Sequence, residues 1–116
     1  PIQADVAIAE AQLEAAWLLL RDATEDAWSS AEAGDRASTD QRRRIRAAAT
    51  HATQTAADVA ERMYRAAGGA AVYKTSPIQR CFRDVNVATQ HAMVAPRMFE
   101  TIGRMRLGLD TNTAML

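Results

Sequence analysis

Residues Ile2–Ala33, IQADVAIAEAQLEAAWLLLRDATEDAWSSAEA, carry the pattern from which the architecture follows. Ile2, Val6, Ala9, Leu13, Ala16, Leu20, Ala23 and Ala27 recur at alternating intervals of four and three. That is a seam with a period near 3.5, and it predicts a long helix packed at a shallow angle on a partner. Trp17 and Trp28 are expected to widen the seam, while Glu10, Glu14, Asp22, Glu25 and Asp26 dress the other faces. Gly34 supplies the C-terminal stop.

The next segment opens on Ser38-Thr39-Asp40-Gln41, which has the form of a capping box: the Ser38 hydroxyl takes a first-turn amide and Gln41 reaches back. The helix it starts would bury Ile45, Ala48/Ala49, Ala52, Ala56, Val59, Met63 and Ala66. A stripe so poor in bulk is useful only where another helix comes close. Gly68-Gly69 ends it, and Ala70–Thr75 is too short and loosely patterned for a strand. Ser76-Pro77-Ile78-Gln79 restarts a helix, with Ser76 as N-cap, Pro77 where its missing N–H costs nothing, and Gln79 completing a second box. This third helix is expected to run to about Ala95. Pro96 then opens a shorter helix bearing Met98, Phe99, Ile102 and Met105, which Gly103 and Gly108 weaken before a frayed tail, Asp110-Thr111-Asn112-Thr113. The expectation is an all-α fold, a helical bundle of long antiparallel helices with short connections, occupying residues 1–116 as one domain.

The 116 residues limit the chain to one domain, and 26 of them are alanine, so the core is helical in flavour but thin. Such a segment is expected to bury surface against something else. The chain also starts at Pro1, without an initiator methionine and directly in a helical pattern, so the expectation is a C-terminal part of a longer chain. Fourteen Lys and Arg balance fourteen Asp and Glu. That removes the electrostatic footprint of a nucleic-acid binder. Cys81 is the only cysteine, so no internal disulfide forms and a reducing cytoplasmic compartment is the simple reading. The longest strongly apolar run, Ala15–Leu20, is far too short to span a bilayer. No signal peptide is visible, and no membrane partner is expected.

The chemical inventory is small: two histidines, one cysteine and no metal-ligand spacing. Arg42-Arg43-Arg44-Ile45-Arg46 reads as a solvated face, with phosphate or partner binding as the alternative. His51 reads as an ordinary helix residue, and Cys81 as a small core residue. Arg80, Asp84, Val87 and His91 fall at i, i+4, i+7 and i+11, which stacks them along one side of a helix. By spacing alone this is a salt-bridged seam with a satisfied histidine.

Gly68-Gly69, then Ser76-Pro77-Ile78-Gln79-Arg80-Cys81-Phe82-Arg83-Asp84, then Ala88-Thr89-Gln90-His91 resemble the C-terminal helical domain of the acyl-CoA dehydrogenase superfamily. More closely the chain resembles the flavin-dependent monooxygenase branch, the oxygenase components of two-component hydroxylases. There a GG loop precedes an S-P-[LI]-Q-R-x-x-R-D helix and a histidine seven residues after the aspartate. The likeness covers nearly the whole chain, and implies a four-helix bundle whose first helix, bearing an arginine that reaches flavin, is missing here.

The resemblance further implies reduced FMN or FAD delivered by a separate flavin reductase, a small organic, preferentially aromatic, substrate, and a homotetramer. His91 would be catalytic and flavin-contacting, either hydrogen-bonding the activated oxygen or assisting deprotonation of a phenol. Gly68 and Gly69 would be cofactor-binding, their backbone approaching the flavin's phosphate or adenosine end. Arg65 stands where the dehydrogenases usually have glutamine, a change that points to FMN or to nothing at all. Many dehydrogenases of the family place their glutamate base where this chain has Met93, and a thioether cannot abstract a proton. A dehydrogenase-like enzyme with its base elsewhere, and a non-catalytic helical oligomerisation module, stand as alternatives.

Overall fold

A computed structural model describes residues 1–69 and 76–116. These form four helices and no strand: α1 (Ile2–Glu32), α2 (Thr39–Ala67), α3 (Pro77–Ala88) and α4 (Met98–Arg106). The loop assignment for Ala70–Thr75 lies outside the described residues. α1 and α2 are antiparallel, as the pairs Asp5–Arg62 at 2.9 Å and Asp22–Arg44 at 2.6 Å show. α3 and α4 also pack on α2, which makes α2 the hub.

The seam of α1 closes on its alanines. Ala9, Ala16 and Ala23, seven residues apart, are buried, and small side chains let the two backbones approach. The larger seam residues stand beside that column: Val6, Leu13 and Trp17 are 53%, 45% and 61% exposed, and Trp28 is 66% exposed. The tryptophans therefore do not widen the α1–α2 contact. They lie on a flank of α1 that no described residue covers.

Both ends of the hairpin follow local chemistry. Gly34 takes φ +85° after α1, and its N–H bonds the Ala31 carbonyl while Asp35 N–H bonds that of Ser30, closing the last turn. Ser38 Oγ accepts from Gln41 N–H at 3.0 Å, and Gln41 Oε1 accepts from Ser38 N–H at 2.9 Å. The Gln41 amide also donates to Ser30 Oγ at 2.9 Å, so the cap that starts α2 ties it to α1.

α2 buries Ala48 and Val59 as expected, and also Thr50 and Thr55, because a hub helix is covered on more than one side. The basic run is not a free solvated face. Arg43 pairs with Asp40, Arg44 with Asp22, Arg42 donates to the Leu116 carbonyl, and Arg46 donates to that of Met93. The tail is likewise held, by Arg42 and by Arg104 bonding the Asp110 carbonyl, and Gly108 at φ +73° ends α4 as Gly34 ends α1. Met98 and Ile102 are buried on α4, as its pattern requires.

Three expectations for α3 change. Ser76 is its N-cap and Pro77 its first residue, but the Ser76 side chain makes no capping hydrogen bond, so the second box does not form. Cys81 is exposed on the edge of an apolar groove, with no core on that side among the described residues. The helix ends at Ala88, well short of Ala95. There Thr89 Oγ1 donates to the Asn86 carbonyl at 2.6 Å, competing with the helix ladder.

Candidate functional site

Because α3 stops at Ala88, His91 leaves the line of Arg80, Asp84 and Val87 and sits in a run of turns between α3 and α4. Arg80 and Asp84 still meet, at 3.7 Å on the surface. The His91 N–H bonds the Ala88 carbonyl, and the His91 carbonyl accepts from Val94 N–H at 3.0 Å. Its imidazole is exposed, and Nδ1 accepts from the Met93 N–H at 3.2 Å. An Nδ1 that accepts carries no hydrogen, so the neutral ring holds its hydrogen on Nε2. The assignment follows from the hydrogen bond, and it makes Nε2 a donor facing outward.

The turn is fixed from α2. Arg46 Nη1 donates to the Met93 carbonyl at 3.2 Å, and Gln54 Nε2 donates to the Val94 carbonyl at 3.3 Å. Sequence reasoning placed Arg46 in a solvated run and passed over Gln54. Neither has a local signal, since their partners lie 47 and 40 residues away. Beside the turn, Ala92, Arg97, Met98, Thr101, Arg104 and Met115 line part of a groove of about 550 Å³ between α4 and the tail. That is the size of a small-molecule site, with donors at a partly apolar surface.

At the other end of α3, Gly68 caps α2 with φ +61° and ψ −139°, a backbone shape that side-chain-bearing residues rarely adopt. Among the described residues, a Cβ at Gly68 or Gly69 would meet nothing within 4 Å. The Gly68 N–H is engaged by the Arg65 carbonyl, so this glycine acts through its conformation. Arg65 itself pairs with Glu61 at 2.7 Å on the surface. The described residues do not bring His91 and the glycine turn together: the 12 residues of α3, about 18 Å of helix, lie between their elements. His51, the other histidine, is exposed on α2 with Thr55 Oγ1 at 3.4 Å.

An all-helical domain with a glycine turn before its third helix and a histidine turn after it defines a class, and the comparisons agree with it. Residues 1–96 match the family described as acyl-CoA dehydrogenase, C-terminal domain, and the chain belongs to that family. It is 37% identical over 106 residues to an indole-3-acetate monooxygenase of Pseudomonas putida, covering 91% of this chain and 27% of that protein. A second indole-3-acetate monooxygenase, from Acinetobacter baumannii, is 33% identical over 107 residues, covering 92% and 28%.

Among solved structures, 3-HSA hydroxylase from Rhodococcus sp. RHA1 superposes with a TM-score of 0.91 at 26% identity, covering 98% of this chain and 30% of that one. The HsaA monooxygenase from M. tuberculosis gives 0.89 at 28% identity, covering 99% and 31%. The chain thus spans under a third of the length of each of these relatives. No helix among the described residues is long and apolar enough to cross a membrane.

Proposed function

We propose that this chain is the C-terminal helical domain of a longer flavin-dependent monooxygenase subunit, a hydroxylase served by a separate flavin reductase. The observation that carries the reading is the pairing at Met93. Where many dehydrogenases of the family have a carboxylate base, this chain has a thioether whose backbone N–H orients an imidazole. The monooxygenase names of the relatives support it. Reduced FMN or FAD, when bound, supplies the electrons that activate oxygen for transfer to the substrate.

The residues present fit such a group. His91 offers an exposed imidazole with its hydrogen on Nε2, and no described residue crowds the Cβ positions of Gly68 and Gly69, where a phosphate could approach the backbone. With the hydrogen on Nε2, His91 acts first as a hydrogen-bond donor to oxygen rather than as the base for a phenol. Because an α3 length separates His91 from the glycine turn, either one long ligand touches both or each serves a different cofactor copy. The uncovered flank of α1 and the adjoining apolar groove of about 420 Å³ fit packing against other parts of a larger, tetrameric protein in the cytoplasm. Arg97 and Arg104 outnumber Glu100 in the groove beside the His91 turn, which makes an aromatic carboxylic acid the substrate class to try first.

The test is His91→Ala in the full-length protein, supplied with reduced flavin, oxygen and a panel of aromatic acids and phenols. Hydroxylated product is expected to fall by roughly 10²-fold, the lower range for a lost proton-handling group, with hydrogen peroxide released in its place. Unchanged coupling of flavin oxidation to product would overturn the role of His91. Activity on acyl thioesters with an artificial electron acceptor would instead favour the dehydrogenase reading.

A further inference from the structure

We infer that Arg46 and Gln54 are positioning residues for His91, selecting its Nε2–H tautomer by clamping the Met93 and Val94 carbonyls of the turn that follows it. The inference rests on the reading of His91 given above. The His91 ring is exposed, and its one hydrogen bond among the described residues is from the N–H of Met93. What holds Met93 therefore holds the ring.

Its carbonyl is taken by Arg46 Nη1 at 3.2 Å, and the next carbonyl, that of Val94, by Gln54 Nε2 at 3.3 Å. Arg46 and Gln54 stand eight residues apart, about 12 Å along the α2 axis, and their side chains converge on successive carbonyls, so two peptide units of the turn are held rather than one. Between them, Thr50 is fully buried.

A role in stability alone does not account for this arrangement. Arg43 and Arg44 of the same run meet carboxylates, whereas Arg46 brings its charge into a half-buried place to serve a main-chain carbonyl. Its Nε is buried without a hydrogen-bond partner among the described residues, and so is Thr50 Oγ1. Orphaned polar atoms of this kind are costly, and an aliphatic side chain of similar size would avoid that cost. What such a side chain could not do is hold the Met93 carbonyl.

The experiment is Arg46→Met in the full-length subunit, with Arg46→Lys as the conservative variant and two readouts. The first is the ¹⁵N signature of the His91 ring, identified by its loss in His91→Ala and recorded near pH 9, above the usual imidazole titration. The second is the fraction of reduced flavin that yields product rather than peroxide. In Arg46→Met the ratio of Nε2–H to Nδ1–H is expected to fall about fivefold, the effect of one net hydrogen bond. The peroxide fraction should rise with it, and Arg46→Lys should restore both in part.

An unchanged ring signature in Arg46→Met overturns the inference, as does a changed signature with unchanged coupling. If Arg46→Met does not fold, Gln54→Leu carries the same test with the same outcomes. A wild-type protein that hydroxylates nothing would count against the oxygenase reading, while the ring signature would still decide the clamp.

Discussion

The α1–α2 hairpin and the α3–α4 half are built by different means. In the hairpin, local rules and tertiary contacts agree: the seven-residue alanine column is the buried column, Gly34 closes α1, and the Ser38 box opens α2. In the other half they part. Ser76 caps nothing with its side chain, α3 ends at Ala88, and residues 89–97 hold their shape through Thr89 and through donors from α2. The lesson is that the regular half is fixed by neighbours along the chain, whereas the irregular half, its backbone carbonyls left free of a helix, is fixed by donors from another element.

That contrast can be broken most forcefully in the alanine column. Ala16→Leu puts extra bulk into the buried alanine column of α1, and should destabilise the full-length protein by about 1–3 kcal/mol in denaturant titrations. Trp17→Ala, one residue away but 61% exposed, would match it only if the rest of the subunit covers that flank.

The two serine caps sharpen the comparison at a smaller scale. Ser38→Ala loses a made capping bond and should cost about 1 kcal/mol, whereas Ser76→Ala should stay within about 0.5 kcal/mol. Equal losses in thermal melts would show that α3 depends on its cap after all.

The smallest effect is electrostatic and belongs to the hairpin side. Asp40, in the first turn of α2, accepts from Arg43, and that hydrogen bond and then the Arg43 charge hold its carboxyl below the ordinary 3.8, with Arg106 and Arg44 adding to it. A carboxyl lowered by folding stabilises the fold above its unfolded range, and loses that contribution as pH falls through the folded value. Asp40→Asn should therefore be slightly less stable than the parent at neutral pH. The gap should close below the ordinary aspartate range and shrink with added salt, which acid titrations at two ionic strengths would show.

Much of this was legible in the residues. The all-α class, four helices, the Gly34 stop, the Ser38 box and the alanines of the α1 seam follow from periodicity and caps, whereas the seam's Ile2, Val6 and Leu13 are exposed. The resemblance at Gly68-Gly69 and at the Arg83-Asp84 to His91 spacing located the family that the comparisons show. The misreadings share one cause. The tryptophans, Cys81 and the arginine run were judged by type, yet exposure and pairing depend on which other elements arrive at that surface. The end of α3 at Ala88 rather than Ala95 has the same origin, since Thr89 turns to the Asn86 carbonyl and α2 donors take the Met93 and Val94 carbonyls.

The sequence by itself determined where helices start, where glycine stops them, and which small residues let two of them approach. All of these are short-range choices between backbone shapes. Only the tertiary structure decided that α2 is the hub, that Arg46 and Gln54 reach across to the turn after α3, and that Met93 hands its N–H to His91. A hydrogen bond between groups some 40 residues apart along the chain leaves no periodic trace; it exists because packed helices bring a donor and a free carbonyl within 3.3 Å.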